Sequence, residues 1–167
     1  MENQAQSSDS VQRVAQLLKD MNHDKTIVML PSTGRTSAEA ADSLGCTVAE
    51  IAKSIVFRRL SDDAAVMVIA SGANRIDEQK VSALVGDIGK ANAKFVRDRI
   101  GYAIGGVCPI GHATKSVILL DKDLFAFDTV WAAAGHPHAV FNMTPEQLRA
   151  MTDAPVVDIA ASAPTAA

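Results

Sequence analysis

Four groups of residues in this 167-residue chain have types and spacings that suit chemistry. Lys53, within Glu50-Ile-Ala-Lys53-Ser-Ile-Val-Phe57, stands where a helical turn gives way to an apolar strand. A lysine there either snorkels to water along its stem or offers a fixed cation to a cleft, where it would hold a phosphate or an ester carbonyl. The loop Gly105-Gly106-Val107-Cys108-Pro109-Ile110-Gly111-His112 packs three glycines and a proline into seven residues. That composition opens unusual backbone paths. The loop is either a tight connection or a display of N–H groups, as in an anion nest or oxyanion hole. It has neither the GK[ST] of a P-loop nor a GxGxxG pattern.

The third group is Ala134-Gly135-His136-Pro137-His138. An HxH pair on an extended segment points both imidazoles to one side, as a metal site requires. No carboxylate or cysteine stands at a matching offset, so a single functional His136 beside Gly135 is the better reading and no metal is expected. The fourth is Cys108 as a nucleophile, with His112 or His136 as base and Asp158 as orienter. No cationic residue adjoins Cys108, which favours a small, semi-buried thiol instead.

Local signals define the elements that must position these groups. Ser8 or Asp9 is expected to cap a helix to about Asp20, with Val11, Val14, Leu17 and Leu18 on one face. Ile27 to Leu30 reads as a strand and Ser32 to Arg35 as a turn. Thr36 or Ser37 starts a helix closed by Gly45, and Thr47 with Glu50 forms a capping box. Ile55 to Phe57 and Ala65 to Ala70 make a hairpin about Ser61-Asp62-Asp63. Asp77 caps a helix through Leu84, a short helix is expected over Lys90 to Ala93, and another turn runs from Val96 to Ile100. Val117 to Leu120, Val130 to Ala134, Ala139 to Phe141 and Val156-Val157 read as strands. Thr144-Pro145-Glu146 starts a last helix with proline at its first position. Strands and helices mix without a βαβ repeat, which predicts an α+β fold. The expected organisation is a disordered segment 1–8, one domain over 9–160 and a frayed tail over 161–167.

Composition agrees with one ordinary globular domain: 48% of residues are hydrophobic and 21% charged. Only two cysteines occur, Cys46 and Cys108, and they form no CxxC pair, so no structural zinc is expected. No apolar run approaches bilayer length and no signal peptide is seen, so a cytoplasmic protein with no membrane partner is expected. The net charge is −3, yet Lys53 to Arg99 holds nine Lys/Arg against six Asp/Glu. That basic middle is either a mixed solvated surface or a weak phosphate-binding face, with Arg58, Arg75 and Lys80 as its candidate phosphate contacts.

Six blocks bring these pieces together in order: AEAADSLGC, EIAKSIVFR, VIASGANRID with KVSALVG, GYAIGGVCPIGH, WAAAGHPHAVF and LRAMTDAPVVDI. From about Thr36 to Asp158 the chain resembles the YbaK/EbsC (ProX-type) aminoacyl-tRNA deacylases, relatives of the editing domain of bacterial prolyl-tRNA synthetases. The resemblance implies a single α+β domain with a mixed, partly barrel-like sheet surrounded by helices. It implies a cleft for the aminoacylated 3′ end of tRNA and hydrolysis of the ester without metal or other cofactor. The amino acid would be small and the carrier tRNA-Pro or a related tRNA. Lys53, Gly105, Gly106 and His136 would be catalytic. Val107, Cys108, Pro109, His112, Gly135 and, more loosely, Asp158 would surround the substrate. Cys108 departs from the small Ala, Ser or Pro expected there; it either trims the amino-acid pocket or merely substitutes for one of these. The partner is then the acceptor end of aminoacyl-tRNA, with a synthetase as a second candidate and the oligomeric state open. A non-catalytic module that grips aminoacyl-tRNA or a synthetase is the alternative, and a metal- or cysteine-dependent esterase a further one.

Overall fold

The computed structural model describes residues 2–31 and 36–161, with side chains from residue 9 onward. The turn expected over Ser32 to Arg35, and the tail beyond residue 161, lie outside the described residues. The elements are α1 (Glu2–Asp20), β1 (Val28–Met29), α2 (Ser37–Leu44), a 3-10 turn (Val48–Glu50), β2 (Ala52–Arg59), β3 (Ala65–Ser71), α3 (Glu78–Val85), β4 (Ile88–Lys90), α4 (Ala93–Arg99), β5 (Val117–Asp121), a second 3-10 turn (Lys122–Ala126), β6 (Val130–His136), β7 (Ala139–Met143), α5 (Pro145–Thr152) and β8 (Val156–Val157). The backbone of α1 therefore starts ahead of the cap expected at Ser8 or Asp9.

Five strands form a mixed sheet in the order β4-β2-β3-β5-β8, and three form an antiparallel sheet, β1-β7-β6. Among the described residues, a parallel bridge from Ile51 to Trp131 links the two sheets. Every residue of β3 is buried because the strand is covered on both faces. Met67 and Ile69 point into the main core with α1 and β6, while Val66, Val68 and Ala70 pack with Val81 of α3 and Ile159. The inward face of β6 is Val130, Ala132 and Ala134, small enough for α1 to lie close against it through Val14 and Leu18. That closeness reaches its limit at Gly135, where an added Cβ would stand 3.0 Å from the Ser10 backbone.

Most local signals hold. Thr36 caps α2 through its side chain and Gly45 closes it at φ +69°. Asp77 caps α3, and Thr144 with Gln147 forms a capping box ahead of Pro145. The short helix expected over Lys90 to Ala93 is replaced by β4, whose Ile88 to Lys90 pair with Arg59 to Phe57 of β2. The open edge of β2 supplies hydrogen bonds that no local signal announces. Asn92 then caps α4, its side chain accepting from the Phe95 N–H at 2.8 Å.

Candidate active site

The site follows from which edge of β2 is covered. Gly72 N–H donates to the Ile51 carbonyl and Arg59 N–H to the Ala64 carbonyl, so odd-numbered residues of β2 turn their main chain toward β3. Leu60 N–H donates to Asp87, so even-numbered residues turn theirs away. On that outer side β4 pairs with Phe57 to Arg59, and β6 bridges at Ile51 just ahead of the strand. The main chain of Ser54 therefore faces a gap where the two sheets splay apart. The Ser54 hydroxyl is buried there and makes no hydrogen bond among the described residues.

The gap is a cleft with two lobes. One, of about 610 Å³, is lined by the start of α2, Lys53, Gly72, Trp131, Ala133, Pro137 and Val140. The other, of about 400 Å³, is lined by Val56, Phe57, Glu78, Lys90, Ala91 and Val96. Ser54 and Ile55 on one side, and Ile104, Gly105 and Val107 on the other, line both lobes and form the waist between them. Volumes of this size suit a small organic ligand. Lys53 is exposed at the rim of the larger lobe and makes no ion pair or hydrogen bond among the described residues.

The glycine loop enters the site differently from a simple cradle. Gly105 has φ +92° and lies under Pro137, so glycine there answers a backbone requirement. Gly106 is buried, and a Cβ on it would meet the Cα, N and C of His136 at 2.8, 2.9 and 3.0 Å. Its N–H donates to the Ala103 carbonyl at 3.0 Å and is not free for a ligand. The N–H groups of Gly105 and Val107 make no hydrogen bond among the described residues. Gly106 thus seats the loop on the β6–β7 turn, while Gly105 and Val107 carry the surface that meets the cleft.

Several expected residues lie elsewhere. The Cys108 side chain is fully buried in the main core beside Tyr102, and burial pushes its thiol up to about 12. It lines neither lobe and is not placed as a nucleophile or a pocket wall. Pro109 and His112 flank a separate groove with Met21 and Met151. His112 latches the loop: its Nε2 lies 2.8 Å from the Cys108 carbonyl and its Nδ1 2.6 Å from the Ser116 hydroxyl. Donation from Nε2 to that carbonyl leaves Nδ1 to accept from Ser116. Burial lowers the pKa of His112 and favours this neutral form.

His136 stands at the end of β6 behind the cleft wall made by Pro137. Its Nδ1 accepts the His138 N–H at 3.0 Å, which places the ring proton on Nε2. Burial, then the neighbouring His138, lower its pKa. Gly135, at φ +95°, lies against α1 within the irregularity between Ala133 and His136.

Asp158 sits just beyond β8, across β3 and β5 from β2, and pairs with Lys80 at 3.3 Å and Lys122 at 3.8 Å. Arg58 pairs with Asp63 at 3.0 Å at the far end of the hairpin. Acids likewise hold Arg59 and Lys94, so among the nine cations of the basic middle Lys53, Arg75, Lys90, Arg97 and Arg99 are left without an ion pair among the described residues. No group of three or more His, Cys, Asp or Glu among the described residues could hold a metal ion. None of the helices is long and apolar enough to cross a membrane, among the described residues.

Sequence reasoning passed over Ser54, Ile55, Ile104, Trp131 and Pro137. The one usable signal was Trp131, the only tryptophan, set on a strand of alanines.

Comparison with known proteins fits this geometry. At 40% identity, a structure named "putative trans-editing enzyme for prolyl tRNA synthetase" superposes with a TM-score of 0.86 over 92% of this chain and 98% of its own. YwhH of Bacillus subtilis (strain 168), named an uncharacterized protein, is 30% identical over 128 residues, 76% of this chain and 81% of that protein. A proline–tRNA ligase of Kosmotoga olearia is 30% identical over 105 residues, 61% of this chain but only 18% of the ligase. The family model for the aminoacyl-tRNA editing domain matches residues 31–151, which span the cleft from α2 to α5, and the chain belongs to that family.

Proposed function

We propose that the protein is a free-standing, metal-independent hydrolase of the cytoplasm that cleaves the ester of mischarged aminoacyl-tRNA. The amino acid removed is small, and tRNA-Pro is the first carrier to test. The observation that carries this reading is the two-lobed cleft, whose waist sets Ser54 and Ile55 against Ile104, Gly105 and Val107, with Lys53 at the rim of the larger lobe. An aminoacyl-tRNA has two unlike halves joined by one ester, and a pinched cleft holds such a molecule with the ester at the pinch. The named activity of the trans-editing relative supports the same reading.

An aminoacyl ester is already reactive, so the protein has to hold the carbonyl, stabilise the developing oxyanion and admit a water or a ribose hydroxyl. The N–H groups of Gly105 and Val107, unpaired among the described residues, and the Ser54 hydroxyl are the donors nearest the waist. Lys53 adds a cation that no acid neutralises among the described residues. His136 acts from behind, by holding the turn on which Gly106 rests.

The experiment is deacylation of a panel of mischarged tRNAs by wild-type protein and by Lys53→Ala. Lys53 is exposed and unpaired, so the variant should melt within a degree or two of wild type. Loss of a transition-state cation should cost about 10²-fold in rate. Protection of every ester by the wild-type protein would establish a non-catalytic binding module instead. Full turnover by Lys53→Ala would remove that residue from the site.

A further inference from the structure

We infer that Trp131 is the platform on which the terminal base of the tRNA stacks, so that the larger lobe takes the nucleotide and the smaller one the amino acid. This rests on the deacylase reading and adds the orientation of the substrate.

Alternation along β6 sends Val130, Ala132 and Ala134 into the core against α1, and leaves Trp131 and Ala133 on the cleft face. Trp131 is half-buried there, opposite Asn142 of β7. No aromatic ring and no cation lies against its indole among the described residues. A half-buried indole that lines a cavity and has no aromatic or cationic partner among the described residues suits a nucleobase, because every base presents a flat π face.

Charge selects between the lobes. Lys53 is the charged side chain among the described residues lining the larger lobe, and it is a cation suited to the phosphate of a nucleotide. The smaller lobe is lined by Val56, Phe57, Ala91 and Val96 with Glu78 opposed to Lys90, so it offers an apolar floor and no net charge. An amino-acid side chain fits that lobe, and a phosphodiester does not. With the base on Trp131 and the phosphate toward Lys53, the ribose and its ester fall at the Ser54–Gly105 waist.

Trp131 is the only tryptophan, so its emission reports this lobe alone. The test titrates wild-type protein with the trinucleotide 5′-CCA-3′ and with the same molecule abasic at its last position. The expected result is a saturable change in emission with the trinucleotide, and binding at least about fivefold weaker for the abasic form. Base–aromatic stacking corresponds to about 5- to 160-fold in binding. In steady-state deacylation, Trp131→Ala should raise KM by a similar factor with kcat little changed, since stacking on a remote base is made equally in ground and transition states. Trp131→Phe should recover most of it. An unchanged emission, or equal binding of the abasic trinucleotide, would overturn the proposal even if the protein hydrolyses its substrate. A base-dependent emission change in a protein that releases no amino acid would support the stacking site and refute the hydrolase.

Discussion

Gly106→Ala tests whether the loop is part of the chemistry. The added methyl would meet three backbone atoms of His136 at 2.8 to 3.0 Å, where ordinary contact is 3.4 to 4 Å. Backbone cannot rotate aside as a side chain does, so the loop must lift off the β6–β7 turn by about 1 Å to restore normal contact. Gly105 and Val107 lie on either side of Gly106 and move with it. A displacement of about 1 Å at groups that hold the reacting carbonyl costs on the order of 10²-fold in rate. Overpacking of this kind also costs about 1–3 kcal/mol. At about 2–4 °C per kcal/mol for a chain of this length, the melting temperature should fall by roughly 2–12 °C. Gly105→Ala is the control: its methyl meets Pro137 Cγ at 3.4 Å, so its cost is mainly that of holding alanine at φ +92°. The assay is single-turnover deacylation at a temperature where melting curves show all three proteins folded. A Gly106→Ala rate within threefold of wild type, alongside the expected loss of stability, would refute the reasoning and make the loop a structural connector.

The two remaining predictions concern residues that the fold has withdrawn from the cleft. With its thiol raised to about 12 by burial, Cys108 should resist alkylation at pH 8 in the folded protein while Cys46, partly exposed, reacts. Mass spectrometry after iodoacetamide should find one label in the native protein and two after unfolding, and rapid native labelling of Cys108 would contradict its burial. Neutralising Arg58 and Lys80 should change tRNA affinity less than about twofold, because each already faces an acid on the surface. Neutralising Arg97 and Arg99, which have no ion pair among the described residues, should weaken binding and lower the salt slope by about 1 for each phosphate interaction removed. The reverse ranking would place the tRNA on the hairpin end of the molecule.

The local elements were legible because their causes are local. Thr36, Asp77, Thr144 and Gly45 cap helices with atoms a few residues away, and the unbroken apolar run of β3 announces a strand covered on both faces. The six ordered blocks carried the family, and Lys53 stood out because a lone cation beside an apolar strand has few uses. What the chain order could not reveal depends on neighbours through space. β4 forms where a helix was expected because β2 has a free edge there. That same edge, left open between Ile51 and Phe57, turns an ordinary serine into a cleft residue. Asp158 and Arg58 looked available as charges until the fold set lysines beside one and Asp63 beside the other. In the glycine loop, adjacent residues that both pack on the main core differ at the cleft: Val107 lines it, while Cys108 does not and burial raises its thiol. Residue type determined what chemistry each position could offer. Strand-edge coverage, side-chain alternation and through-space charge pairing, which arise only when distant segments pack, decided which of those offers reach the substrate.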